Sequence, residues 1–277
     1  MTHRRDETTD AAAQPLRFST MLAEDADTVR AAQRLRYRVF HAAAATRDAA
    51  PSNADVGAAS SADRIDVDAF DAHCRHLVVR DDASGDVVGT YRILTPDGAR
   101  AAGGFYSETE FDCTRLRNLD ARVVEVGRAC VDPAYRGGGV IGALLAGLTR
   151  WVVAERYDYV MGCASIDVSG GDERAAALCR RLLAAHLAPD AWRVAPHTPF
   201  PTDAGEADAD AAEVPPLIKA YLRFGASICG APAYDAEFRT ADLLMLLPMA
   251  AMAPRFLARL LRDDPGTKKG RSTRWAA

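Results

Sequence analysis

Apolar positions along the chain recur with two periods. Residues 16–22 (LRFSTML) predict a short strand, and Val29, Ala32, Leu35 and Val39 then return at helical spacing, predicting a helix over 24–40. Residues 75–94, RHLVVRDDASGDVVGTYRIL, set two Val-, Leu- and Ile-rich runs around the turn-forming DDASGD, the pattern of a β-hairpin. A valine-rich strand over 122–131 stops at Asp132-Pro133. Ile141, Leu144, Leu145, Leu148, Trp151 and Val152 share one face of a helix over 140–155. Next come a strand over 157–166 and a helix over 172–186, opened by Asp172 and Glu173 where the helix dipole favours negative charge. A helix over 216–224, a strand over 242–247 and an amphipathic helix over 254–262 complete the pattern.

Four stretches carry neither period. Residues 1–15 read as a disordered start, and 42–64, mostly Ala, Ser, Asp and Asn with Pro51 and Gly57, as a mobile loop. Residues 203–213 hold five acids and no large apolar side chain, which predicts a solvated loop, and 263–277 form a basic tail. The remainder, 16–262, reads as a single domain without internal repeats.

Composition narrows the classes. Alanine accounts for 55 of the 277 residues, so the 49% hydrophobic fraction overstates the core, although the larger apolar side chains still reach the globular range. A net charge of −4 argues against a nucleic-acid binder, whose affinity rests on phosphate neutralisation. Six scattered cysteines without a CxxC pair read as reduced thiols of a cytoplasmic protein. The first fifteen residues have no apolar core of a signal peptide, and the greasiest run, 243–252, is short and broken by Pro248. A soluble or peripheral protein is expected. Between residues 255 and 274 there are seven basic residues against Asp263 and Asp264, near Phe256, Leu257, Leu260 and Leu261. Such a segment suits contact with anionic lipid at the inner face of the membrane or with an acidic partner, and equally suits a plain surface helix with a solvated tail.

The stretch from Glu125 to Ile141, EVGRACVDPAYRGGGVI, carries the most chemistry. Glycines between a strand and a helix leave backbone N–H groups open, and the helix N-terminus adds positive potential, a match for phosphate; three glycines also suit a simple flexible turn. Glu125 is a candidate general base, or one half of a structural pair with Arg128. Along a regular strand these two positions face opposite sides, so a bulge is needed to bring both to one site. His73, Cys74 and His76 lack a four-ligand spacing, and no metal site is expected. Cys130 has no histidine base beside it in the pattern and reads as core.

This stretch resembles the GNAT acyltransferases, whose R-x-x-G-x-(G/A) loop holds the phosphate of an acyl thioester. The resemblance implies an α/β (α+β) fold with a twisted mixed central sheet flanked by helices, here with an extended C-terminal portion. It implies donor binding by Val131, Arg136, Gly137, Gly138, Gly139, Val140 and Ile141. Ile141 stands where the pattern wants glycine or alanine, which favours a phosphopantetheine thioester on acyl carrier protein over coenzyme A.

Four blocks in order, LRYRVF (35–40), DAFD (68–71), GTYR (89–92) and Glu125-x-x-Arg128, are similar to those shared by ornithine N-acyltransferases and acyl-homoserine-lactone synthases. Two later pieces, YLRFGA (221–226) and GAPAYDAEFRTAD (230–242), resemble the ornithine enzymes. Residues 41–50 lack the tryptophan usual in the lactone synthases. The resemblance implies transfer of a 3-hydroxyacyl group from acyl carrier protein to the α-amine of L-ornithine, giving lyso-ornithine lipid, with no permanently bound cofactor. Glu125 and Arg128 would be catalytic, and Arg36, Phe40, Asp68, Asp71, Arg92, Asp235 and Asp242 would bind the amino acid, a substrate that needs both acids and a bidentate arginine. The rivals are a lactone synthase using S-adenosylmethionine and a non-catalytic domain that binds an acyl carrier or a lipid surface.

Overall fold

The structure, a computed structural model, describes residues 18–45, 64–137, 139–203 and 213–262. The expectations for residues 1–15, 46–63 and 204–212, for Gly138 and for the basic tail lie outside the described residues.

The elements run β1 (Phe18–Leu22), α1 (Ala26–Ala45), β2 (Arg75–Asp81), β3 (Val87–Leu94), α2 (Pro96–Ala102), β4 (Phe111–Asp112), α3 (Thr114–Arg117), β5 (Val123–Val131) and α4 (Val140–Ala154). Then follow β6 (Tyr159–Asp167), α5 (Asp172–His186), β7 (Ala195–Pro196), α6 (Pro216–Phe224), β8 (Ser227–Ile228), β9 (Ala233–Asp235), β10 (Thr240–Pro248) and α7 (Pro254–Arg262). Eight strands make one sheet in the order β1-β2-β3-β5-β6-β10-β8, with β9 also on β10, while β4 and β7 pair separately. Within the large sheet only β5 and β6 are parallel, the pairing that a helical crossover, here α4, permits.

Alternation along β2 divides the core. Leu77 and Val79 pack on the α4 side, and Val78 packs with Ala32 and Leu35 of α1 on the other. α4 buries Val140, Leu144, Leu145, Leu148, Trp151 and Val152, each contributing about 1.5–3 kcal/mol by leaving water. The expected face began at Ile141; Val140, one turn before the buried Leu144, is the buried residue and Ile141 is exposed. A second correction concerns α1, which continues to Ala45 through residues expected to be loop, since alanine is the best helix former. At the other end of the chain, α7 packs Phe256, Leu257 and Leu260 into the main core, with Phe256 edge-on to Phe224 at 5.9 Å. Phe256, Leu257 and Leu260 are thereby half-buried, while Leu261 stays exposed. Among the described residues no helix is long and apolar enough to cross a membrane.

Two irregularities shape the centre of the sheet. Pairing of β5 with β6 covers Val123↔Tyr159, Val124↔Val160 and Glu125↔Met161. At the next step Gly162 lies so close to β5 that a Cβ there would meet the Val126 carbonyl oxygen at 2.1 Å. On the other edge of β5 the register jumps from Arg92↔Gly127 to Thr90↔Cys130, so three steps on β5 oppose two on β3. This is a β-bulge, and Arg128 within it adopts φ +50°.

Candidate active site

Where β5 leaves β6 a cleft of about 390 Å³ opens. Glu125 to Ala129 form one wall; Cys163, Ala164 and Ser165 of β6 with Thr240 and Asp242 of β10 form the other. Phe40, Tyr106, Tyr221 and Phe238 bound it.

Glu125 is buried beneath a short helical turn, Tyr106–Thr109. Its carboxylate accepts the backbone N–H of Tyr106 at 2.6 Å, the N–H of Ser107 at 2.8 Å and the Ser107 hydroxyl. That hydroxyl in turn accepts the Cys163 thiol at 3.7 Å. Burial pushes Glu125 up to about 7 despite these donors, which all favour the charged form. A carboxyl that changes charge near neutrality, in a cleft wall, suits proton transfer.

Arg128 does not pair with Glu125. The bulge turns it toward Asp66 (3.3 Å) and Asp68 (3.2 Å), and its guanidinium lies 4.8 Å from the Phe238 ring and 5.8 Å from Tyr106. The same acidic segment takes Arg36, fully buried on α1, through Asp66 at 2.9 Å and Asp71 at 2.6 Å. Arg92 on β3 reaches Asp68 at 2.6 Å and Asp71 at 2.9 Å. Burial alone would raise the Asp71 carboxyl, but Arg36 and Arg92 hold it at about 2. Three arginines from three elements thus pin residues 66–71 to the sheet.

This network changes the assignment of the expected acceptor residues. Phe40, Arg92, Asp235 and Asp242 line the cleft, together with Glu125 and Arg128. Arg36, Asp68 and Asp71 do not: their charges are spent on one another behind the wall, where they fix Arg92 and Arg128. Cys130 packs against α1, and burial raises its thiol to about 12.

Glu110, Tyr106 and Ser107 escape any reading of the sequence, because they sit in a short turn with no periodic pattern. Glu110 joins Asp235 and Asp242 in a group whose carboxylate oxygens lie within 4.8 Å of one another. Burial, then the charge of Asp242, pushes Glu110 up to about 8, and burial raises Asp242 as well. The β9–β10 turn makes the group: Asp235 pairs with Thr240, and Asp242 follows two residues later on β10.

The glycine turn follows directly on β5. Asp132 caps it by accepting the Ala134 N–H at 3.0 Å and is held by Arg38 at 3.2 Å. Gly137 and Gly139 adopt φ +90° and +88°, conformations that suit glycine, so the first-turn N–H groups of α4 face outward from an exposed loop that also presents Arg136. None of Val131, Arg136, Gly137, Gly139, Val140 and Ile141 lines the cleft itself.

A second, narrow pocket shares Val126, Cys163 and Tyr221 with the cleft and extends between α4 and β10. Its walls are apolar: Leu145, Leu148 and Val152 on one side, Met245, Leu247 and Met252 on the other, with Ala226 between. The cleft is therefore bordered by an apolar pocket at Val126, Cys163 and Tyr221 and by acidic side chains at Asp235 and Asp242.

Residues 35–146 match the acetyltransferase (GNAT) domain. The chain is 34% identical over 255 residues to the L-ornithine N(alpha)-acyltransferase of Rhizobium meliloti strain 1021, a match covering 87% of this chain and 83% of that one. It is 35% identical over 261 residues to the L-ornithine N(alpha)-acyltransferase of Rhodobacter capsulatus, covering 88% and 95% of the two chains. A solved CoA-dependent acyl-homoserine lactone synthase, determined with MTA, superposes with a TM-score of 0.50 at 12% identity over 88% of this chain and 87% of that one, a likeness of fold.

Proposed function

The chain belongs to the L-ornithine N(alpha)-acyltransferases, enzymes with a GNAT domain, and from that membership we propose that it acylates the α-amine of L-ornithine with a 3-hydroxyacyl group carried by acyl carrier protein, yielding lyso-ornithine lipid. One observation carries the reading: the cleft that holds Glu125 is bordered by an apolar pocket, which shares Val126, Cys163 and Tyr221 with it, and by the acidic group of Glu110, Asp235 and Asp242. That geometry suits an acyl chain at one end and a cationic amino acid at the other.

In this reading the phosphopantetheine phosphate lies on the turn at Arg136, Gly137 and Gly139, with the N–H groups of Val140 and Ile141 at the helix N-terminus and Val131 beside it. The thioester then points down β5 and its chain enters the cavity beside Val126 and Cys163. Arg128 and Arg92, oriented by Asp66, Asp68 and Asp71, supply positive charge for the ornithine carboxylate. Glu125 takes a proton from the α-ammonium, directly or through water, and the freed amine adds to the thioester carbonyl. Addition forms the N–C bond, and collapse of the tetrahedral adduct restores C=O and breaks C–S. Of the two protons the nitrogen gives up, one ends on the departing thiol and one reaches solvent through Glu125.

The test is to incubate purified protein with 3-hydroxyacyl carrier protein and either ornithine or S-adenosylmethionine and weigh the products. An N-acylornithine mass is expected. An acyl-homoserine lactone, or no product from ornithine, refutes the reading. Equal turnover of acyl-CoA and the carrier-protein thioester would remove the donor assignment alone.

A further inference from the structure

We propose that Glu110, Asp235 and Asp242 form a subsite that selects a primary ammonium group at the far end of the acceptor, so that the enzyme discriminates for an α,ω-diamino acid. The inference rests on the ornithine reading and deepens it. All three carboxylates come within 4.8 Å of one another, and among the described residues no arginine, lysine or histidine forms an ion pair with any of them. Asp242 is 4% exposed and its Oδ1 takes no hydrogen bond; both Glu110 oxygens are buried and equally unpartnered. Buried acceptors without donors are costly, and a ligand that donates to them removes that cost.

Spacing identifies the donor. An –NH₃⁺ group that gives three hydrogen bonds of about 2.8 Å along tetrahedral directions separates its acceptors by about 4.6 Å. A planar guanidinium spreads its donors in one plane, and a quaternary nitrogen has none, so neither matches three convergent oxygens. The acceptors are also held rigidly. Asp235 Oδ1 accepts the N–H groups of Glu237 (2.8 Å) and Phe238 (3.0 Å), and the backbone of Glu110 is bonded to Ser107 (3.2 Å) and His197 (2.8 Å). Asp235, Asp242 and Thr240 open onto the cleft opposite Glu125, so a diamino acid spans from the base to this subsite.

Ornithine and norvaline have the same carbon chain and differ in the distal amine, so the experiment compares kcat/KM for the two with one acyl donor, in wild type, Glu110→Gln and Asp242→Asn. The expected result is a wild-type preference for ornithine that falls roughly tenfold to a hundredfold in each variant, the worth of a hydrogen bond to a charged group. Because the readout is a ratio within one preparation, partial loss of folded protein cancels, and two variants guard against one that fails to fold. An unchanged ratio in both variants, with wild type active on ornithine, overturns the subsite and leaves the ornithine reading standing. Inactivity of wild type on ornithine overturns the ornithine reading itself. A third arm removes divalent cations with EDTA: an ornithine preference kept after dialysis supports the subsite, whereas one lost and then restored by Mn²⁺ alone shows the three acids to be a metal site and overturns it.

Discussion

Ser107 holds Glu125 twice: its backbone N–H and its hydroxyl both donate to the same carboxylate oxygen. The carboxylate is therefore oriented before substrate arrives. Glu125→Gln retains an acceptor for the turn but cannot take a proton, so kcat should fall by about 10²–10⁴. Burial holds this carboxyl at about 7, and only the deprotonated form accepts a proton, so kcat/KM should rise with pH and level off above about 7. The variant should lose that limb; retained activity with a wild-type pH profile would remove Glu125 from the role.

Arg36 is fully buried and faces two carboxylates, Asp66 and Asp71. Arg36→Met removes the buried guanidinium that joins Asp66 to Asp71 and leaves them Arg128 and Arg92 alone, which should cost about 3–5 kcal/mol in urea unfolding. Asp71 titrates lower in the folded chain than in the unfolded one, so its stabilising contribution is complete above the ordinary carboxylate range. It should be lost as pH falls toward about 2. Unfolding curves from pH 6 to 2 check the sign: wild type should lose stability over that range, and Arg36→Met should lose less.

Ala226 lies in the wall of the apolar cavity, between Tyr221 and Met245. Ala226→Phe fills space that an acyl chain would take and should shift the preferred donor to shorter chains, read by competition among carrier-protein thioesters. An unshifted preference would mean that the chain lies elsewhere.

Gly139 has φ +88° with no atom within 4 Å of where a Cβ would stand. Gly139→Ala therefore acts through the backbone alone, at about 1–2 kcal/mol, and should raise KM for the acyl donor more than it lowers kcat. Gly142, one turn into α4 and equally uncrowded, has no such φ, so Gly142→Ala should leave that KM near its wild-type value.

Helices with a continuous apolar face were legible from spacing alone. The bounds of α5, α6 and α7 agree with the pattern, because burial of one stripe governs both sequence and structure. α2 was not legible. Its residues, PDGARAA, have no apolar stripe, and it is held by its ends: Thr95 caps the start and Gly103 turns the stop. In the site, Glu125 and Arg128 stand out because they lie in a strand beside a glycine turn. Glu110 has no comparable signal, since its partners Asp235 and Asp242 are more than a hundred residues away in sequence and meet it only through the packing of β10. The roles of Arg36, Asp68 and Asp71 were equally hidden. Sequence shows which charges are available, whereas the folded chain decides which are neutralised before a ligand comes.

The early end of the β5–β6 ladder leaves three paired positions to join the two wings of the sheet. α4 braces the gap, packed against β1, β2 and β3 on one side and α7 on another, yet the cavity beneath it leaves Leu145, Leu148 and Val152 short of neighbours toward Met245 and Leu247. In the proposed reading an acyl chain lying there would be, for the length of one turnover, a residue of the hydrophobic core, and release of the acylated product would take away part of the packing that holds the two wings together.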